Sequence, residues 1–305
     1  MCVAIFLFLS GYGLTKSFSK YYFHNSINSR LPLKKNCRYV FNHLIKLLSD
    51  YWFVYLIFVP IGLFFGRSFL SIYGNNPLHY LTDFFGVSYL FYEYEFTMNA
   101  TWWFMSIIIV YYLLFPILYK ILQYSPELLL LISLALLFNP FYSDSRQIML
   151  WLSPFVFGMY IAKYNLFDKI SRCVNTIPKR IIVTGLAIVL FAYLRLALFG
   201  NEVTIDFLFA FAIILFCFLV LSRIPILNKI LEQLGKHSGA IFMFHTFIFD
   251  LYFKDFIYWF EYPPLIFIVL TVVCYLIAIG LECLKKITKY NSLADKVTNW
   301  ILVIK

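Results

Sequence analysis

Few side chains in this sequence are suited to chemistry, and most of them sit inside or beside apolar runs. His245 lies in GKHSGAIFMFHTFIFDLYF, near the middle of such a run. An ionisable group placed there is costly and marks a candidate functional site. A neutral imidazole can take a proton from a hydroxyl. The plainer alternative is a structural His bonded to a neighbouring helix. Asp250 follows five residues later. On an α-helix it would point about 140° away, so it is not placed to orient the ring.

His43 and Lys46 lie in FNHLIKLLSDYW, three residues apart. That spacing puts both on one helix face, where they could hold a phosphate-bearing donor. Interfacial bases that reach toward water would look the same. Arg38 belongs to a basic cluster over 30–38 that could serve the same anion. Trp103 and Tyr112, with Trp102 and Tyr111, open another apolar run. They read either as an aromatic belt or as a substrate-binding ring. Arg195 and Asp206 flank the turn FGNEVT and suit a structural ion pair across it.

The elements that must position these groups are membrane helices. The chain is 62% hydrophobic and 13% charged, against about half and about a quarter in soluble domains. It has too little polar surface to cover itself in water. The fold class expected is therefore all-α, a polytopic transmembrane bundle of about nine spans, the first of them partial. A span needs about 20 apolar residues. Candidate spans cover roughly 51–73, 102–122, 127–142, 148–163, 181–199, 204–222, 238–257 and 263–284. Segment 1–14 is apolar too, but at 1.5 Å per residue it reaches only about 20 Å.

The net charge of +10 does not point to nucleic acid, because the bases fall between apolar runs. Residues 1–49 hold seven bases and no acid. The positive-inside rule makes that loop cytoplasmic. Threading the spans from there leaves 21 of the 25 Lys and Arg inside, with loop 74–101 and its Asp83, Glu93 and Glu95 outside. The C-terminus is then cytoplasmic, with 291–305 as a tail after a 1–290 membrane domain. Met1 falls on the outer side, an odd start, so one more helix is expected upstream.

The six cysteines show no CxxC and no metal-ligand spacing. No Walker loop, GxSxG or HExxH occurs. From the residues alone, the reading is a membrane bundle with a buried His and a basic cytoplasmic face.

Four stretches add to that reading by their order: FLFLSGYGLTKSFS, FNHLIKLLSDYWFVYLIF, TWWFMSIIIVYYLLFPILY and LGKHSGAIFMFHTFIFDLYF. Together they resemble the acyltransferase-3 family of integral-membrane O-acyltransferases, from about Ile5 to Lys286. The resemblance implies a helical bundle that moves an acyl group, often acetyl, from a cytoplasmic CoA thioester to a hydroxyl of an extracytoplasmic glycan or glycolipid. It implies no tightly bound cofactor and no metal. Acyl-CoA (acetyl-CoA in the usual case) is the donor, the plasma membrane the location, and the bilayer and the glycan the partners. The family's first helix carries a base and then the His taken as its catalytic base. No stretch of this chain matches that helix, which is where the threading also asks for one more. The resemblance thus gives the main base to that absent His, leaves His245 to orient the donor or acceptor, and sets the expectation that residues 1–305 alone are inactive. The family's Arg-x-x-Arg pattern aligns with His43-x-x-Lys46. Lys can meet phosphate as a point charge but lacks the Arg fork. A transporter or flippase of a polysaccharide intermediate, and a catalytically silent membrane partner, share most of these features.

Overall fold

The computed structural model describes residues 2–25, 33–64, 68–92, 95–137, 148–197 and 202–303, without the side chains of 22–36, 202–204 and 299–303. Among these residues there is no strand. In chain order the helices are α1 (Cys2–Asn25), α2 (Leu33–Phe64), α3 (Phe69–Tyr73), α4 (Pro77–Phe84), α5 (Ser88–Tyr92), α6 (Trp103–Tyr124), α7 (Pro126–Leu137) and α8 (Leu152–Tyr164). They continue as α9 (Leu166–Cys173), α10 (Ile177–Ala197), α11 (Glu202–Leu219), α12 (Pro225–Thr246), a π turn (Phe247–Tyr252), α13 (Lys254–Tyr258), α14 (Pro263–Ile287) and α15 (Tyr290–Val303). The protein is an all-α polytopic helical bundle. Six of its described helices are long and apolar enough to cross a membrane.

Two spans differ from the sequence reading. Residues 2–14 of the segment read over 1–14 are the first part of α1, whose 24 residues rise about 36 Å and exceed a core of about 30 Å. The second span begins within α2 and ends at Phe64. Two further segments, read as spans over 127–142 and 148–163, hold α7 and α8 of 12 and 13 residues, about 18–20 Å each. Most of α8 is buried by protein rather than turned to lipid. Residues 291–298, read as part of a tail, lie in helix α15.

The chain divides into two compact units. The first holds residues 1–40 and 110–229. Its tightest packing is α1 against α8. A Cβ added to Gly11 would lie 2.1 Å from the Phe155 carbonyl oxygen, and one added to Gly158 would lie 2.1 Å from the Phe8 carbonyl oxygen. The backbones therefore touch, the usual use of small residues between membrane helices. Phe8 then packs with Ile161, Phe167, Leu215 and Leu219. Lys163 donates to the Leu122 carbonyl (2.6 Å), and buried Arg180 to the Val174 carbonyl (2.7 Å), each closing a helix C-terminus. Arg195 Nε meets Asp206 Oδ1 at 2.5 Å, the ion pair expected across the turn.

The second unit holds residues 41–109 and 230–305. Its segment between α2 and α6 folds back along α2 instead of standing off as a loop. Tyr51 donates to the Asp83 carbonyl (2.6 Å) and Trp52 to the Phe84 carbonyl (2.9 Å). Tyr51 lies 13 residues before the end of α2, so this segment returns about 20 Å along the helix. Backbone that is not helical survives at such a place only when protein covers it and satisfies it. The buried Asp83 carboxylate does that here. It accepts from Tyr73 Oη (2.5 Å), Thr97 Oγ1 (2.9 Å) and Met98 N (3.1 Å).

Candidate functional site

His245 belongs to the second unit, at the last turn of α12. Its Nδ1–H is directed at the carbonyls of Phe242 (2.9 Å) and Ile241 (3.2 Å), one turn back on its own helix. That bond fixes the tautomer and leaves the lone pair on Nε2. Among the described residues, no hydrogen bond is made by Nε2. The rings of Phe242 and Phe249 flank the imidazole at 5.8 Å each. The ring is half-buried. Its orienting partners are thus backbone carbonyls and not Asp250, in keeping with the sequence reading. The angle reasoned for Asp250 assumed α geometry, however, and Asp250 lies in the π turn.

The helix that carries His245 is clamped just before it. Trp102 Nε1 donates to the Met243 carbonyl (2.8 Å), and Asn99 Nδ2 donates to the same oxygen (3.2 Å). A helix carbonyl has a second lone pair for this. Phe244 stacks on Phe58 with ring centroids 5.0 Å apart, and Phe247 meets Trp102 at 5.7 Å. Just after the α-helical turn of His245, the ladder shifts to the π pattern, with Phe253 N bonding the Ile248 carbonyl (3.0 Å). Single π turns inside α-helices occur often at functional sites.

A polar cavity of about 660 Å³ lies between the early part of α2, the charged end of α14 and α15. Lys46, Lys285 and Lys286 line it, with Asn42 and Ser49 beside them. Asp50, Glu282 and Asp295 line it too. Lys285 is engaged, with Nζ 2.5 Å from Asp50 Oδ1 and 5.1 Å from the Phe53 ring centre. No ion pair holds Lys46 or Lys286 among the described residues. Tyr290 fastens α15 to this edge by donating to the Ser49 carbonyl (2.9 Å).

A second cavity, of about 470 Å³, follows farther along the same two helices. Ile57, Phe58 and Ile61 of α2 and Ile277, Gly280, Leu281 and Leu284 of α14 form its walls, closed by Ile248, Tyr252 and Phe253. Its one polar side-chain atom, Tyr252 Oη, already donates to the Phe58 carbonyl.

The residues predicted from sequence are partly brought together. Lys46 lines the polar cavity, while His43, half-buried three residues earlier, does not. Trp103 packs its ring 5.8 Å from that of Tyr89. Arg38 and Tyr112 belong to the first unit. Arg38 is exposed near the start of α2, and Tyr112 shares a side-chain hydrogen bond with Ser10. Of the 30–38 cluster, Arg30 lies outside the described residues, as do the side chains of Lys34 and Lys35. Sequence reasoning missed Lys285, Lys286 and α15 as cavity walls, and Asn99 as a clamp. The two lysines end a long apolar run beside Glu282, a pattern that reads as an ordinary interfacial end.

The family model described as Acyltransferase domain, of the acyltransferase-3 type, matches residues 1–283. No curated protein matches the chain, and no solved structure does.

Proposed function

This chain belongs to the acyltransferase-3 family, and on that premise we propose that it moves an acyl group from a CoA thioester to a hydroxyl of a cell-surface glycan or glycolipid. It is a membrane acyltransferase. The donor's phosphates meet Lys46 and Lys286 at the polar cavity, with His43 one turn before Lys46 on α2; Arg38, in the first unit, stands as a separate candidate contact for them. The acceptor hydroxyl gives its proton to Nε2 of His245 as its oxygen attacks the thioester carbonyl. The C–O bond of the new ester forms, the C–S bond breaks, and the proton passes to the CoA thiolate. Charge threading puts the donor end on the cytoplasmic side of the plasma membrane, with the C-terminus. Trp103 and Tyr112 stand as candidate substrate contacts.

The observation that carries this reading is the lysine-edged cavity in the same unit as His245, whose Nδ1 is fixed and whose Nε2 is left to accept. The test uses full-length protein in nanodiscs with labelled acyl-CoA and glycan acceptors. Exchanging both Lys46 and Lys286 for Ala is expected to raise KM for the donor with kcat little changed. His245→Ala is expected to lower kcat by about 10²-fold or more at matched folded protein. A donor KM indifferent to both lysines would remove the cavity from the donor path. Normal turnover by His245→Ala would remove His245 as the base.

A further inference from the structure

We infer that the donor's acyl group is longer than acetyl, and that its hydrocarbon chain lies in the apolar cavity between α2, the π turn and α14. The inference rests on the donor reading above and revises the acetyl expected from the resemblance. The two cavities share the same pair of walls. The polar one uses Asn42–Asp50 of α2 and Glu282–Lys286 of α14. The apolar one uses Ile57–Ile61 and Ile277–Leu284. The Lys285–Asp50 ion pair sets the register at which the two helices meet. From Asp50 to Ile57 the rise along α2 is about 10 Å. A donor anchored by its phosphates at Lys46 and Lys286 thus points its thioester end toward the apolar cavity.

The lining of that cavity says what it accepts. It carries no charged side chain, and its one hydroxyl is already spent on the Phe58 carbonyl. A sugar or a phosphate would find no partner there, whereas a hydrocarbon chain loses nothing. Ile248, in the wall, lies three residues beyond His245 in the chain, while the imidazole itself is not among the lining side chains. The cavity is open along one side, where Ile61, Phe253 and Leu284 are exposed. An acetyl group would cover little of its apolar wall over about 470 Å³, whereas a longer chain would cover most of it. Gly280 adds no side chain to this wall. A Cβ added there meets nothing within 4 Å. The chemistry is unchanged: the acyl carbon exchanges its bond to CoA sulfur for a bond to the acceptor oxygen.

The test measures binding, not turnover, so it stands apart from the acceptor. Non-transferable thioether analogues of acetyl-CoA and dodecanoyl-CoA are titrated into full-length protein in nanodiscs. The dodecanoyl analogue is expected to bind at least about tenfold more tightly. Gly280→Leu should bring the two affinities together, and Ile277→Phe fills the same cavity should that variant fail to fold. Gly185→Leu on α10, where an added Cβ also meets nothing within 4 Å, should keep the difference. Equal affinity for both analogues overturns the inference and leaves the donor reading standing. A difference that survives both filled variants places the chain elsewhere and overturns it too. Phospholipid that co-purifies with the wild type and is lost from Gly280→Leu, with no change in the analogue difference, assigns the cavity to bilayer lipid instead. Binding of neither analogue overturns the donor reading and this inference together.

Discussion

Gly11 and Gly158 hold reciprocal places where α1 crosses α8, each pressing its bare Cα face against the partner backbone three residues upstream of the other glycine. The Phe155 and Phe8 carbonyl oxygens would each lie 2.1 Å from an added methyl. No side chain can rotate away from such a clash, because both obstacles are backbone. Gly158→Ala is therefore expected to force α1 off α8 and to uncover Phe8 from its cluster with Ile161 and Phe167. The cost is of the overpacking kind, about 1–3 kcal/mol or more. Thermal unfolding in detergent reads it. Gly13→Ala, on the same helix but with nothing within 4 Å, is the matched control. Equal stability of the two variants would show that the helices can separate freely.

The Asp83 carboxylate holds the connection between α2 and α6 together through three donors of that segment itself. In Asp83→Asn the NH2 can face Thr97 Oγ1, which turns its hydrogen to the Asn99 carbonyl (3.1 Å), while the amide oxygen keeps Tyr73 and Met98 N. Every donor keeps a partner, but the bonds lose their charge assistance, at about 1–3 kcal/mol in all. Tyr73→Phe removes one donor and leaves Met98 N on the same oxygen, so it should cost less. Urea or thermal unfolding of the two variants gives the order. A more damaging Tyr73→Phe would mean that Tyr73, not the carboxylate, holds the segment.

The long apolar runs made the all-α bundle legible, because only helices and closed barrels satisfy the backbone in lipid and runs of this length suit helices. The length of α1 was not legible. Lys16 looked like the end of a span, yet the helix runs on to Asn25. Lys16 lets it do so by lying over the Tyr12 ring, 5.8 Å from its centre, and donating to Asn165 Oδ1. The fold-back of the segment after α2 was hidden too. Charge alone separated it from the bases, and a buried Asp83 has the same letter as a solvated one. At the site, His245 and Lys46 stood out by type and position. Lys285, Lys286 and the π turn did not, since the first two become cavity walls only through α2 and α15, and a π turn has no composition of its own.

The basic excess over residues 1–49 predicts a side of the membrane that can be measured directly. Single cysteines at Ser29 and Asn75 are placed in a background without the native six. Asn75 is exposed and leaves Asn76 free to cap α4, where its Oδ1 accepts from Leu78 N (3.0 Å). An impermeant thiol reagent on intact cells should label position 75 and spare position 29 until the membrane is opened. The reverse pattern would invert the topology and move the lysine-edged cavity to the outer face.

Trp102 and Asn99 reach the site through the Met243 carbonyl, two residues before His245, and Trp102 also through the Phe247 ring, so they act as positioning residues. Trp102→Phe keeps most of the ring packing against Tyr51, Tyr55 and Phe247 but removes the donor. About 1 kcal/mol of fixation is lost, equivalent to about fivefold in kcat if it falls on the transition state. Asn99→Ala in the same chain removes the second donor and should lower kcat further. Because neither side chain lines the polar cavity, the affinity for a non-transferable donor analogue should hold. Hydrogen exchange over 243–252 supplies the structural readout and should quicken in step with the loss of turnover. Unchanged kcat in the double variant, at matched folded protein, would show that α12 keeps its place without the clamp. A fall in donor affinity with kcat preserved would instead place the two residues on the binding path.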